Sequence, residues 1–279
     1  MTMTVEAIKY RREFIGAFNT SVTLLADRFT DEAMDMGRSA VFDVSAVGGR
    51  MATRSIDGRI PRTNISDTQV TCTLQEYVKK FEVTDFEAFV SQSDERAKMN
   101  SRIMESVNQE IDYIIKAELA NASTTATGSG AAITLALYTQ VVAQLAGNQV
   151  PVSPSDVTWI VSPWFEAKLL QLTAYTSSDF VPTKPLESGG NQFQNQRKIR
   201  SFLGVGLIVD PNLPGAGTST CTTYLVHRRA LGLAKPASQM KYSAGYDDQD
   251  HFNYCSATLK LGAKIIQNAG ILKFVHTDV

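Results

Sequence analysis

The apolar side chains near the start of the sequence recur at helical spacing and predict an amphipathic helix. Steps of three and four residues place them on one face, and Gly37 would end the helix because glycine accepts the left-handed conformation of a C-terminal cap. Such an apolar face must be buried against another surface. It is either the rest of the same chain or a neighbouring subunit, and the sequence leaves both open. The face consists of Phe14, Phe18, Val22, Leu25 and Phe29.

After Gly37 the apolar period changes from that of a helix to that of a strand. Phe42 and Val44 alternate with polar residues, and alternation resumes at 70–83 with a slip of one residue that indicates a bend. Residues 41–84 therefore read as long extended strands around a polar tip. They hold too few large apolar residues to fold alone, so we expect the segment to project or to lie on a partner. The tip contains Arg50, Arg54, Arg59 and Arg62.

A long helix is predicted from Ser93 to Ala122, where one apolar stripe runs for the whole length. At 1.5 Å per residue the helix would be about 40 Å long, with one face buried and the other in water. Asp112 and Lys116 form one of two acid-then-base pairs at helical spacing, which favour this conformation. The stripe consists of Met99, Ile103, Val107, Ile111, Ile114 and Ile115.

The small polar run at 121–130 predicts a flexible joint and the best domain boundary in the chain. Helices and strands alternate beyond it, which is typical of an α/β region, and the C-terminus returns to strands. A hairpin is predicted there from the turn signal between two apolar runs. The predicted elements are helices at 133–146 and 163–172, a long polar loop at 173–196, strands at 157–161, 199–209 and 224–226, and hairpin strands at 259–265 and 271–276.

Composition describes a foldable globular chain and excludes several classes of function. Of 279 residues, 43% are apolar and 20% charged, and the net charge is -1, which argues against a strongly basic nucleic-acid clamp and against disorder. No apolar run approaches the roughly 20 residues of a membrane helix, and no signal peptide is recognisable. The three separated cysteines, Cys72, Cys221 and Cys255, are expected to be reduced thiols of a cytoplasmic protein.

The sequence motifs of enzymes, cofactor sites and metal sites are not recognisable, so we predict no catalytic residue, no cofactor and no metal site. His227 precedes two arginines but has no marked nucleophile beside it. The turn-like cluster at Asp247, Asp248, Asp250 and His251 lacks the glycine and glutamate that a calcium loop needs, so a solvated loop is favoured. The four tip arginines lack aromatic stacking partners, and they suit either an acidic neighbour or water. We therefore expect a protein that acts through its surface and not as an enzyme.

The order of these elements resembles the major capsid protein of tailed bacteriophages, which has the α+β, HK-97-like fold. The resemblance covers essentially the whole chain, and three stretches carry most of it. They are IDYIIKAELANA at the end of the long helix, FLGVGLIVDPNLP leading to TTYLVHRRALGLAKP, and the terminal KLGAKIIQNAGILKFV. Their order and spacing, more than any one of them, make the similarity specific.

The resemblance implies a division of the chain into five parts. Residues 1–40 would be an N-terminal arm, and 41–84 an extended β-hairpin loop that overlaps an adjacent subunit. Residues 85–130 would form a peripheral domain with the long spine helix, 131–236 an apical domain, and 237–279 the closing strands of the peripheral domain.

The resemblance also implies a function and its partners. Copies of the chain would assemble as hexamers and pentamers of an icosahedral shell in the virion, built in the host bacterial cytoplasm around double-stranded DNA that is contacted non-specifically. Scaffolding and portal proteins are expected partners and a membrane is not. Because only about 40 residues precede the loop, scaffolding would be a separate protein or absent. Inter-subunit contacts are expected at Phe14, Phe18, Arg50, Arg54, Arg59 and Arg62.

Two other functions remain open at this stage. A shell of the same fold could enclose cargo enzymes as an encapsulin, which would be recognised by cargo protein that copurifies in place of DNA. An α/β hydrolase is a distant alternative. It would use His227 or the cluster from Asp247 to His251.

Overall fold

A computed structural model describes residues 23–34, 37–45, 51, 53–54, 56–57, 66–84, 86, 95–128, 130–172, 200–236 and 239–278. Its elements, in chain order, are β1 (Thr30–Met34), β2 (Ser39–Val44), β3 (Thr68–Thr73), β4 (Gln75–Thr84), α1 (Glu95–Ala120), α2 (Leu135–Gly147), β5 (Val157–Val161), α3 (Pro163–Gln171), β6 (Arg200–Phe202), β7 (Val205–Val209), β8 (Cys221–His227), β9 (Leu231–Pro236), β10 (Met240–Asp247), β11 (Phe252–Ile265), a short 3₁₀ turn (Asn268–Gly270) and β12 (Ile271–His276).

The described strands form two five-stranded sheets and one two-stranded hairpin. The first sheet has the order β1-β9-β11-β10, with β4 also paired to the long strand β11. The second sheet has the order β12-β8-β5-β7-β6. The hairpin joins β2 to β3 with Ser39 opposite Thr73 and Val44 opposite Thr68. Pairing is antiparallel except for β1 with β9 and β5 with β7.

The second sheet is buried on both faces, which explains why β5 is apolar at every position but one. Along the sheet, Ile160 and Tyr224 belong to a core built around α1. Their neighbours Trp159 and Leu225 belong to a second core built around α2 and α3. The second core is centred on aromatic contacts, with Trp159 stacked on Tyr138 at a ring-centroid distance of 4.9 Å. One sheet therefore joins two cores.

Helix α1 confirms the predicted long helix and its stripe. It has 26 residues, and every residue of the predicted stripe is buried. Two charged side chains on the same face are also buried. Asp112 accepts hydrogen bonds from the backbone N–H groups of Leu24 and Leu25, and burial raises the pKa of this carboxyl. Lys116 Nζ lies 2.9 Å from Asp210 Oδ2, in the loop after β7.

The predicted N-terminal helix is wrong for the part of it that the structure describes. Residues 23–29 form turns, and β1 follows and pairs parallel to β9. Leu25 and Phe29 are nevertheless buried in the core around α1, as their apolar character requires. The segment is held by Asp112 and by Lys235, whose Nζ donates to the carbonyl of Ala26 at 3.0 Å, so these backbone groups are satisfied without a helix.

The predicted C-terminal hairpin is also wrong. The strand at 271–276 pairs with β8 and not with β11, because the 3₁₀ turn carries it to the edge of the second sheet. The other side of this strand contacts the small polar run, where Ala126 N donates to the carbonyl of Lys273 at 2.8 Å. The predicted single strand at 199–209 is two antiparallel strands, since Leu203 and Gly204 adopt positive φ angles and form a turn.

The predicted long loop at 173–196 lies outside the described residues, and the remaining predicted elements of the α/β region are confirmed within a few residues. They are α2, β5, α3 and β8. Among the described residues, no helix combines the length and the apolar character needed to cross a membrane.

Candidate assembly surface

The base of the extended loop, which is the hairpin of β2 and β3, sits on the body of the protein through a small apolar cluster. Phe42 and Cys72 are buried there against Ala234 of β9. Burial raises the pKa of the Cys72 thiol, so the group is neutral and unreactive in this position. The loop base is therefore anchored to the body of the protein.

Two glycines form the floor under the loop base. A Cβ atom on Gly262 of β11 would lie 2.7 Å from the carbonyl oxygen of Thr73 and 2.9 Å from Cys72 Sγ. A Cβ atom on Gly232 of β9 would lie 2.6 Å from Cζ of Phe42. Only glycine permits the hairpin to approach the first sheet this closely.

The tip of the loop carries apolar side chains that the described part of the chain does not cover. Met51 and Ile56 are fully exposed, with relative accessibilities of 102% and 105%. Ser45 Oγ donates to Asp67 Oδ1 at 2.9 Å and joins the two sides of the loop at its neck. A large apolar side chain gains about 1.5–3 kcal/mol when it leaves water, so the tip is suited to contact with another surface.

The strands β4, β11 and β10 form a ribbon with two unlike faces. One face lies on α1, where Leu259 and Leu261 are buried. The outer face holds Lys80, whose Nζ lies 4.6 Å from the ring centroid of Phe252 and 5.2 Å from that of Tyr254. Glu82 lies 2.7 Å from the same nitrogen, and this hydrogen bond raises the pKa of Lys80. An amphipathic face of this kind is common at protein interfaces.

Large apolar side chains are exposed on other elements as well. Phe86 lies between the ribbon and α1 in sequence and is 75% exposed, and Tyr113 on the outer side of α1 is 64% exposed. Trp164 on α3 is half exposed and packs over Gly217. Such residues occur singly on many surfaces, but here they lie on the loop, the ribbon, the spine helix and the α/β region. Exposed apolar side chains are thus distributed over several parts of the described surface.

The structure locates one of the six predicted contact residues. Arg54 lies at the exposed loop tip, between Met51 and Ile56. The other five lie outside the described residues and remain predictions. They are Phe14, Phe18, Arg50, Arg59 and Arg62.

The sequence analysis did not identify the glycine floor or the cluster of Lys80 with Phe252, Tyr254 and Glu82. The floor had a signal, since a glycine inside an apolar strand pattern indicates a close backbone approach.

The residues considered for hydrolysis have structural partners. His227 Nδ1 accepts a hydrogen bond from the backbone N–H of Arg229 at 3.2 Å, within the turn between β8 and β9. Burial lowers the pKa of His227. His251 lies far from it in sequence, in the exposed turn between β10 and β11, and its Nδ1 is 3.2 Å from the hydroxyl of Tyr246. These hydrogen bonds are contacts within two separate turns.

Comparison with known proteins identifies related sequences and structures. The sequence model of the phage capsid protein family matches residues 67–254. No curated protein matches the chain at a significant level. A chain of Mycobacterium phage Che8 has a TM-score of 0.75 at 17% identity, with 98% of each chain covered. The capsid of cyanophage P-SCSP1u gives 0.70 at 15% identity, covering 97% of this chain and 93% of that one.

The capsid of Ralstonia phage GP4 gives a further match, with a TM-score of 0.70 at 13% identity over 98% of this chain and 95% of that one. At these identities the likeness shows the fold alone. That fold is the α+β, HK-97-like architecture predicted from the order of the elements.

Proposed function

This chain belongs to the phage capsid protein family, and from that premise we propose that it is the repeating unit of an icosahedral shell made of hexamers and pentamers. Its role as a structural subunit of a phage capsid, located in the virion, follows from the family and the fold together. The match over residues 67–254 is the observation that carries the proposal. The same match does not favour an encapsulin or a hydrolase.

The exposed loop tip supports the proposal of interlocking copies. Met51 and Ile56 are exposed and lie in sequence between two strands that are anchored to the body, which is compatible with one subunit reaching across the next. A head-to-tail contact of this kind closes into a ring when the same rotation repeats around an axis. Each ring member then covers the tip of one neighbour and has its own tip covered by another.

The finer partners are part of the proposal. We place Phe14, Phe18, Arg50, Arg54, Arg59 and Arg62 at contacts between subunits, with the arginines facing acidic groups of the neighbour. Scaffolding and portal proteins would take part in assembly in the host cytoplasm. The packaged double-stranded DNA would be contacted non-specifically, because a net charge of -1 allows dense DNA nearby without tight binding.

Assembly of the purified chain tests the proposal. We expect electron microscopy and light scattering to detect capsomers or shells, with or without added scaffold. The double variant Met51→Asp, Ile56→Asp should abolish them. Loss of about 1.5–3 kcal/mol per side chain corresponds to at least about 100-fold weaker association, since 1.4 kcal/mol is tenfold.

A matched control separates lost contact from added charge. Ala132→Asp introduces an aspartate at an exposed position outside the loop and should assemble as the wild type does. Thermal unfolding of all the variants should agree, because the tip contributes no burial within the described part of its own chain. A monomeric wild type under every assembly condition, or a double variant that assembles normally, would contradict the proposal.

A further inference from the structure

Three potential metal ligands meet where β8 and β12 lie side by side. Cys221 begins β8, and His276 ends β12 directly opposite it in the antiparallel register. Asp278 follows two residues later, so the alternation of side chains returns it to the same side. All three are buried, with accessibilities of 0% for Cys221, 0% for His276 and 4% for Asp278.

The distances between the ligand atoms suit a tetrahedral ion. The sulfur, an imidazole nitrogen and a carboxylate oxygen lie within 4.8 Å of one another. His276 Nδ1 is 3.2 Å from Asp278 Oδ1. Bonds of about 2.0 Å to nitrogen and oxygen at a tetrahedral angle would place those two atoms about 3.3 Å apart. The nitrogen and oxygen thus need almost no movement to bind a shared ion, and the sulfur lies within 4.8 Å of both.

The imidazole of His276 provides a second, independent observation. Both of its nitrogens are buried, and neither makes a hydrogen bond to any residue that the structure describes. Asp278 Oδ1 is close to Nδ1 but lies outside hydrogen-bond geometry. A buried polar group without a partner is rare in native proteins and calls for an explanation. A metal ion bound at Nδ1 would give that nitrogen a partner beside Asp278 Oδ1, and the ring proton would then be on Nε2.

Neighbouring groups already orient the carboxylate and exclude bulk water. Ser162 Oγ donates to Asp278 Oδ1 at 2.9 Å, and the backbone N–H of Gly217 donates to Oδ2 at 2.9 Å. The ring of Phe165 lies 4.9 Å from the imidazole and that of Phe274 lies 5.6 Å from it, measured between centroids. Hydrogen-bonded ligands inside an apolar shell are typical of metal sites in proteins.

We propose that Cys221, His276 and Asp278 bind Zn²⁺, which accepts this combination of sulfur, nitrogen and oxygen ligands, with one enclosed water molecule in the fourth position. The ion would join the C-terminal residues to the first residue of β8 and, through Ser162, to the start of α3. On binding, the Cys221 thiol loses its proton to solvent and a sulfur–zinc bond forms. Thiolate and carboxylate then neutralise the two charges of the ion.

The buried thiol is compatible with this reaction. Without a metal, burial and the nearby Asp278 raise the pKa of Cys221 to about 12. A divalent cation reverses this balance, because it stabilises the thiolate directly and metal binding releases the proton. We therefore expect the site to be filled as the chain folds and to hold the ion in a position closed to bulk water.

Metal content of the full-length protein tests the proposal. Protein purified from cells grown with added zinc sulfate should contain about one zinc ion per chain by elemental analysis. Cys221→Ser should lower this at least about tenfold. Cys255→Ser is the matched control, since it removes another buried free thiol far from the site, and its zinc content should equal that of the wild type.

A spectroscopic measurement on the wild type keeps the test decisive even if Cys221→Ser does not fold. Added Co²⁺ should give thiolate-to-cobalt charge-transfer absorption, which His276→Gln should abolish and Cys255→Ser should retain. A chelator should lower the midpoint of thermal unfolding of the wild type. The proposal fails if the wild type holds no zinc and shows no cobalt–thiolate absorption, or if zinc content is unchanged in the folded Cys221→Ser variant.

Discussion

Replacing Gly262 by alanine should loosen the extended loop from the body of the subunit. The new Cβ would lie 2.7 Å from the carbonyl oxygen of Thr73 and 2.9 Å from Cys72 Sγ, whereas ordinary contact begins at 3.4 Å. Part of the obstacle is backbone, which cannot rotate away as a side chain does. Overpacking of this kind costs about 1–3 kcal/mol, so either β11 or the loop base must move.

The matched control is the same substitution where space is available. Gly147 is the last residue of α2, and a Cβ there meets no described atom within 4 Å. Gly147→Ala should be neutral or stabilising by up to about 1 kcal/mol, because alanine loses less backbone entropy than glycine on folding. The two variants are thus expected to change stability in different ways although they add the same methyl group.

Two measurements check this prediction on the unassembled subunit. With a urea slope of about 2 kcal/mol per molar, Gly262→Ala should lower the unfolding midpoint by about 0.5–1.5 M, while Gly147→Ala should not lower it. Thiol labelling should become faster at Cys72 alone, because Cys72 is buried where the loop base meets the first sheet, whereas Cys221 and Cys255 lie outside this contact. Equal midpoints and equal labelling in the two variants would refute the argument for a glycine floor.

Two further predictions concern the buried charges of α1. Lys116→Met should lower the free energy of unfolding, measured in urea, by about 3–5 kcal/mol, because Asp210 is left buried without its cation. Adding Asp210→Leu should restore part of this loss. If the effects of the two substitutions simply add, the pairing is contradicted. Burial raises the pKa of Asp112 above 3.8, so the stability of the wild type relative to Asp112→Asn should increase as the pH falls from neutral through that raised pKa and level off below 3.8. A difference that is constant across urea titrations at these pH values would contradict the second prediction.

The sequence correctly predicts those elements in which buried residues recur at the regular spacing of one helix or strand face, or form one short apolar run. Helix α1 has a single wet face, and β5 is a short apolar run between a polar turn and Pro163, so local pattern and tertiary environment agree. The N-terminal helix failed because Leu25 and Phe29 have helical spacing but reach the core from a turn. The donor groups of that turn are bound by Asp112, which is 87 residues or more away and invisible to a local pattern.

Pairing between distant strands explains most of the remaining difference. The turn at 268–270 has the composition of a hairpin, yet β12 carries apolar residues on both faces, with Ile271 in one core and Leu272 in the other. A strand of this kind fits a sheet that is covered on both faces, as the second sheet is, whereas a hairpin with β11 would leave one face of the strand in water. Cys221 and His276 lie side by side because β8 pairs with β12 in this register. The sequence alone does not reveal that pairing, so it indicates neither residue as a metal ligand.

The distribution of apolar contacts indicates how the subunit divides between a rigid and a movable part. The second sheet shares residues with both large cores, so neither core can open without disturbing the other. Among the described residues, the apolar cluster between the loop base and β9 has four buried members, with Leu74 and Ile266 beside them. Regions with few buried contacts open at a lower free energy than the body of a protein. We therefore expect the loop base to separate from the first sheet at a lower free energy than the two large cores need to open, and a larger side chain at Gly232 or Gly262 should lower that free energy further.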